Sequence, residues 1–332
     1  MTGRLDGKVA IVTGAGGGIG REHSRLFAAE GAAVLVNDTG RRTDADAAAV
    51  AAEIESAGGR AVADTNSATW DGADAIVEHA IDAFGRVDVL VNNATAARNA
   101  DLWKVTEQEW DLAFDVNLKG YFAMIRAAVP HFAGQASGAI VNTSSGSGFG
   151  HPSAVAYASA KEGVVGLTRT VAKEVGRFGI RCNAIRPLAL GVSTQEYAQH
   201  TSKWTDLMAL TMAPGGSRSQ YVVATPETHP PSKIAPMVVW LCTDAARDVN
   251  GRTFHVRGDT VALLSEPGAE REITQDGGWT LDDLDRVAPA QLVGDLPDGY
   301  RLDGHPELLV FEPSPPFPPT GGGVDAPSSA LA

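Results

Sequence analysis

The chain is 332 residues long, 44% hydrophobic, 20% charged and 6% aromatic, an ordinary globular balance that excludes a wholly disordered or collagen-like polymer. Its 40 acidic and 27 basic residues give a formal charge of −13, which repels phosphate backbones and argues against nucleic acid as the main partner. No run of the sequence has membrane-span character and Met1 to Lys8 holds no apolar segment of the signal-peptide kind, so the expected setting is cytoplasmic, with no membrane partner.

In chain order, short β-rich runs stand at Val9 to Thr13, Ala33 to Asn37, Ala61 to Ala63, Val87 to Asn92, Ala139 to Thr143, Arg181 to Ile185 and Thr253 to Val256. Segments with helical spacing separate them. Ile76, Val77, Ala80, Ile81 and Phe84 fall on one stripe, and Ala47, Val50, Ala51 and Ile54 do the same before a stop at Gly58 and Gly59. This alternation predicts an α/β fold, one doubly wound domain over residues 1–262 with a seven-stranded parallel sheet. Two stretches break it. Residues 188–231 lack a clear period and are expected to form a substrate loop; within them Trp204, Met208 and Met212 recur at helical offsets, as either a packed stripe or a lid. Residues 263–332 are expected to be an irregular extension, rich in proline and glycine after about Leu281, in which only Leu308 to Phe311 forms an apolar run able to dock.

The first strand leads into Gly14, Ala15, Gly16, Gly17, Gly18, Ile19 and Gly20 and then into a helical run. A strand, a tight glycine turn and a helix make the Rossmann arrangement, in which free amides at a helix start face a pyrophosphate. Gly14, Gly18, Ile19 and Gly20 are therefore expected to hold a dinucleotide. Asp38 closes the second strand at the distance where a carboxylate accepts hydrogen bonds from ribose hydroxyls, and the turn offers no cation for a 2′-phosphate, so the expected cofactor is NAD. Arg41 and Arg42 are the dissenting residues, since they are able to fold over a phosphate.

Tyr157 and Lys161 stand four apart at the start of a long helical run, which puts phenol and ammonium on one face. A tyrosine must fall from a pKa near 10 to roughly 7 to act as a base, about 4 kcal/mol, and a nearby cation is expected to supply much of that. His23, His131, His151 and His255 lie far apart without carboxylates or cysteines at ligand intervals, so no metal is expected, and Cys182 and Cys242 read as buried thiols.

Gly14, Gly18 and Gly20, with Asn92, Asn93 and Ala94, Asn117, Ser144 and Ser145, and Tyr157 and Lys161, resemble the short-chain dehydrogenase/reductase family over roughly residues 5–260. Val36 to Gly40, Asn142 to Gly146 and Ile234 to Cys242 are similar to the (3R)-hydroxyacyl-CoA dehydrogenase module of multifunctional β-oxidation enzymes and to related actinobacterial hydroxysteroid dehydrogenases. The resemblance implies that Tyr157 exchanges the proton of an alcohol or ketone substrate, that Lys161 lowers its pKa and holds the nicotinamide ribose, and that Asn117 positions a water. It also implies a serine on the substrate oxygen. Counting thirteen back from Tyr157 lands on Ser144, whereas the strand end and the turn after it point to Ser145, the residue chosen here because strand register fixes a side chain's face. By the same likeness Asn66 and Ser67 lie by the adenine, Asn93 and Ala94 by the adenosine, and Pro187 by the nicotinamide; a homodimer or homotetramer is implied too. The family's usual glycine after Ala94 is Thr95 here, and the glycine after Pro187 is Leu188.

Overall fold

The computed structural model describes residues 3–42, 45–190 and 224–294. Strands β1 (Val9–Thr13), β2 (Ala33–Asn37), β3 (Arg60–Asp64), β4 (Val89–Asn92), β5 (Gly138–Thr143), β6 (Ile180–Leu188), β7 (Thr253–Arg257) and β8 (Thr260–Leu263) form one sheet. Their order is β3-β2-β1-β4-β5-β6-β7-β8. All neighbours pair in parallel up to β7. The sheet therefore has eight strands among the described residues rather than seven, because β8 returns antiparallel to β7. Gly258 and Asp259 make the turn, with Gly258 at φ +46° and Arg257 opposite Thr260, a two-residue hairpin of the kind glycine permits. Edge strand β8 leaves Val261 and Leu263 exposed, so it lacks the continuous apolar burial by which the other strands are legible.

Period-two alternation divides the strand side chains between two cores. Ala10, Val12, Val34, Val36 and Val91 face one layer with Phe27, Val50, Ile54, Val238 and Leu241. Ile11, Leu35, Leu90 and Ile140 face the other with Ile76, Met124, Phe132, Val171 and Val175. The first layer is built by helices α1 (Gly18–Ala29), α2 (Ala47–Ser56) and α7 (Ala235–Leu241), and the second by α3 (Ala73–Phe84), α5 (Gly120–Gly134) and α6 (Val155–Val175). Each buried Ile, Leu, Val or Phe contributes about 1.5–3 kcal/mol, so both faces of the sheet are secured. Cys182 and Cys242 are buried free thiols, each pushed up to about 12, Cys182 by burial against its Asn142 hydrogen bond and Cys242 by burial against the charge of Arg181.

Beyond the sheet the extension is not wholly irregular. Helix α8 (Leu281–Gln291) starts at Thr280, whose hydroxyl accepts from the Asp283 amide at 3.2 Å, and two acidic residues occupy its first turn. Both features stabilise a helix N-terminus, and Thr280 with Asp283 is the signal that composition hid. The Trp204, Met208 and Met212 stripe and the run from Leu308 to Phe311 lie outside the described residues. Among the described residues no helix is long and apolar enough to cross a membrane.

Strand order reverses between β1 and β4, which opens a crevice at the carboxyl ends of the sheet. Gly14, Asp38, Asn93, Ser144 and Ser145 follow the ends of β1, β2, β4 and β5, and Pro187 and Leu188 close β6.

Candidate active site

The glycine turn is bare because nothing else fits. Gly14 has φ +61°, and a Cβ there would stand 2.6 Å from the Ala94 Cα. At Gly20 a Cβ would come within 2.2 Å of the Gly14 carbonyl oxygen. Gly18, at φ +52°, is needed for its conformation alone, since nothing lies within 4 Å of its Cβ position. No side chain caps α1 and its first turn has no acidic residue, so the amides of Gly18, Ile19 and Gly20 form an uncompensated positive helix end. A pyrophosphate fits this cradle by charge and by clearance.

Asn93 ties the cradle to β4. Its amide donates to the Thr13 and Gly14 carbonyls at 3.1 and 3.0 Å, while the Thr13 hydroxyl accepts from the Asn93 and Ala94 amides. Asp38 accepts from the Gly16 amide at 3.1 Å and the Gly40 amide at 3.0 Å, which holds its carboxylate against the turn. Asn66 is turned toward Asp64, to which it donates at 2.9 Å; that buried carboxylate also receives Asn37 at 2.7 Å and His79 at 2.8 Å. Ser67 and Thr69 line a shallow depression together with Arg41.

Tyr157 and Lys161 share one face of α6, with the ammonium 5.6 Å from the phenol ring centre. Lys161 is fully buried and donates to the Tyr121 hydroxyl at 3.0 Å and the Thr143 carbonyl at 2.8 Å. Burial brings its pKa down to about 7. Burial likewise raises the Tyr157 phenol above its ordinary value, against the pull of the adjacent Ser145 and Thr95 hydroxyls. The ammonium gives two of its three donors to Tyr121 and Thr143, and enclosure disfavours both charged forms. Tyr121 is the residue that sequence reasoning missed here; it lies four after Asn117, on the same helical face, but only the fold reveals that this face meets Lys161.

Asn117 sits in a widened helical turn, Asp115–Lys119, between α4 (Glu107–Phe114) and α5. Such turns are rare, and those that occur are frequent at functional sites. Its amide donates to the Ala96 carbonyl at 2.6 Å and the Ala113 carbonyl at 2.8 Å, and its oxygen accepts from Thr95 at 2.7 Å. The two serines after β5 diverge. Ser144 is buried and donates to the Lys161 carbonyl at 2.7 Å, whereas the Ser145 hydroxyl accepts from the Ser147 amide at 3.1 Å and lies beside the Tyr157 phenol.

Arg186 was also not foreseen. Its guanidinium, buried at the end of β6, donates to the Ser145 carbonyl at 2.7 Å and to Glu162 at 2.5 Å, and lies 4.2 Å from the Phe149 ring centre. A Cβ at Gly148 would stand 2.5 Å from that guanidinium and 2.6 Å from the Glu162 carboxylate, so the ion pair would have to shift to admit one. Pro187 and Leu188 continue β6 in register with Val256 and Arg257. Among the described residues no group of three His, Cys, Asp or Glu side chains is placed to hold a metal ion.

The chain matches the family model described as short chain dehydrogenase over residues 8–203. It is 49% identical over 199 residues to a peroxisomal multifunctional enzyme type 2 of Drosophila melanogaster, covering 58% of this chain and 33% of that enzyme. It is 34% identical over 260 residues to a 3-oxoacyl-acyl-carrier-protein reductase of Thermotoga maritima, covering 78% of this chain and 99% of that protein. A crystal structure of a short chain dehydrogenase from Mycobacterium avium is similar with TM-score 0.72 and 36% identity, covering 87% of this chain and 96% of that one. The chain spans about a third or less of the length of the peroxisomal relatives it matches.

Proposed function

The chain belongs to the short-chain dehydrogenase family of oxidoreductases, and from that premise we propose that it interconverts a secondary alcohol and a ketone with NAD, on a (3R)-hydroxyacyl-CoA or hydroxysteroid type of substrate. The observation that carries this reading is the convergence of Tyr157, Ser145, Lys161 and Asn117 beside a bare glycine cradle. Bound NAD supplies the hydride acceptor. Gly14, Gly18, Ile19 and Gly20 hold its pyrophosphate, Asp38 its adenosine ribose, Asn93 and Ala94 the adenosine side, Asn66 and Ser67 the adenine, and Pro187 with Lys161 the nicotinamide half.

Ser145 donates to the substrate oxygen and stabilises charge as it develops. Tyr157 takes the hydroxyl proton in oxidation and returns it in reduction. Lys161, whose pKa is held near 7, trades protonation with its surroundings in the neutral range. Asn117 braces the strand-end loop through Ala96 and supports a water that links Lys161 to solvent. Asp38 favours NAD because a 2′-phosphate would set about two negative charges against its carboxylate. Arg41 supports NADP as the competing reading, since it stands by Ser67 at the adenosine end.

An acyl thioester substrate is supported by the name of the Thermotoga relative, a 3-oxoacyl-acyl-carrier-protein reductase. A homodimer or homotetramer is supported by Trp110 and Phe122, aromatic side chains exposed on α4 and α5. The deciding experiment measures reduction of NAD and NADP across 3-hydroxyacyl-CoA thioesters, hydroxysteroids and small terpenoid or polyol alcohols. The reading requires NAD-linked turnover of the first or second group and its loss in Tyr157→Phe. Turnover only with NADP, only with the small alcohols, or at full rate in the Phe variant would overturn it.

A further inference from the structure

The Lys161 ammonium has three N–H donors, and two are committed inside the protein, to the Tyr121 hydroxyl at 3.0 Å and the Thr143 carbonyl at 2.8 Å. Tyr121 comes from α5, is 1% exposed, and lays its ring centre 4.7 Å from the same nitrogen. Its hydroxyl has a single proton, for which two carbonyls compete, Ala94 at 3.1 Å and Thr143 at 3.3 Å. The oxygen therefore turns its lone pairs toward Lys161 and serves there as an acceptor. An acceptor at this place favours the charged amine and opposes the burial that lowers its pKa. It also restrains direction. With two donors fixed by α5 and β5, tetrahedral geometry leaves the third a single line to point along. Because Ala94 follows β4, one phenol oxygen ties the ends of β4 and β5 to helices α5 and α6.

Resting on the reading of Lys161 as the holder of the nicotinamide ribose, we propose that Tyr121 is a positioning residue for the dinucleotide site, whose acceptor oxygen keeps Lys161 an ammonium and aims its remaining N–H at the ribose. Tyr121 touches neither substrate nor cofactor in this role and acts through Lys161. Two titratable groups face the ammonium, Tyr121 from α5 and Tyr157 from α6 itself, and β5 brings the uncharged Thr143 carbonyl. The other elements packed against α6 send their charges elsewhere. Asp111 of α4 and Asp115 and Lys119 of the widened turn are exposed, Arg126 of α5 pairs with Asp74, and Arg181 and Arg186 of β6 donate to the Leu241 carbonyl and to Glu162. Among the described residues, Tyr121 is thus the one side chain that hydrogen-bonds the ammonium.

Tyr121→Phe keeps the ring and deletes the hydroxyl. Nuclear magnetic resonance of the whole protein, with carbon-13 at the lysine ε carbons and Lys161→Met to identify the Lys161 signal, follows the ammonium without turnover or cofactor. Losing one hydrogen bond to a charged group is worth about tenfold or more. The Lys161 midpoint in Tyr121→Phe is therefore expected to fall by about one pH unit or more. Calorimetric titration with NAD is expected to show an affinity about tenfold weaker. A phenol that only fills the core would change the melting temperature and move neither quantity. Should the phenylalanine variant not fold, Tyr121→Met removes the same hydroxyl with a flexible apolar chain and is read in the same way. A Lys161 midpoint in the hydroxyl-free variant equal to that of the wild type, or an unchanged NAD affinity, would overturn the role of Tyr121. A protein in which both move as expected yet which oxidises no alcohol would overturn the proposed function and leave that role standing.

Discussion

The hydroxyl of Ser144 donates to the carbonyl oxygen of Lys161 at 2.7 Å, fastening the end of β5 to the second turn of α6. This bond consumes Ser144 as a structural clip and leaves Ser145 the hydroxyl at the phenol. Ser144→Ala is expected to cost about 1 kcal/mol of stability with activity within a few fold of wild type. Ser145→Ala is expected to lower kcat about 100-fold with little change in melting temperature. The reverse pattern in kinetics and thermal melts would assign the substrate oxygen to Ser144.

The three cradle glycines should not respond alike. Gly14→Ala meets both a positive φ and the Ala94 backbone at 2.6 Å, and Gly20→Ala meets the Gly14 carbonyl at 2.2 Å. Each is expected to lose about 2 kcal/mol or more and to abolish dinucleotide binding. Gly18→Ala meets open space at φ +52°, so its cost is conformational, about 1 kcal/mol. Denaturant melts and calorimetric titration with NAD would separate the three.

His23 is fully buried in α1 with both ring nitrogens unpartnered, and burial lowers its pKa to about 3. Between that value and the ordinary 6.5 the unfolded chain binds the proton and the folded one refuses it. Stability is therefore lost as pH falls through this window, by about 5 kcal/mol from this group. His23→Leu is expected to flatten the dependence, which urea melts at neutral pH and at pH about 4 would measure.

Lys161 shows the same sign on the other side of neutrality. Its pKa falls from 10.5 unfolded to about 7 folded, so the penalty of a buried ammonium is complete below pH 7 and is relieved as pH rises toward 10.5. The penalty is about 5 kcal/mol. Lys161→Met is expected to be inactive yet more stable than wild type in mild acid, the gap closing in alkaline melts.

Arg186 binds the Ser145 carbonyl and Glu162, and Glu162 is 49% exposed while Arg186 is 3% exposed. Glu162→Gln strips a counter-charge from a buried guanidinium and is expected to cost about 1 to 2 kcal/mol, less than a fully buried pair. Arg186→Ala frees the Ser145 turn, so kcat is expected to fall about tenfold with KM nearly constant, and Arg186→Lys to recover part of it. Steady-state kinetics with equal kcat in wild type and Arg186→Ala would remove the arginine from the positioning of Ser145.

Seven strands, two helical layers, the glycine cradle, Asp38 and the Tyr157 and Lys161 pair are legible in the sequence because each is written in local pattern: short apolar runs, periods near four, and a glycine-rich turn. Strand β8 and helix α8 escaped, although a Gly258–Asp259 turn and a Thr280 cap mark them, because their apolar signal is weak at an exposed edge. What the tertiary structure alone decided is the state of the charges and the direction of each hydroxyl. Tyr121 reaches Lys161 across forty positions of chain, Thr95 reaches Asn117 across 22, and Arg186 reaches Ser145 across 41. Desolvation and hydrogen bonding depend on what surrounds an atom in space, and spacing along the chain carries no measure of either.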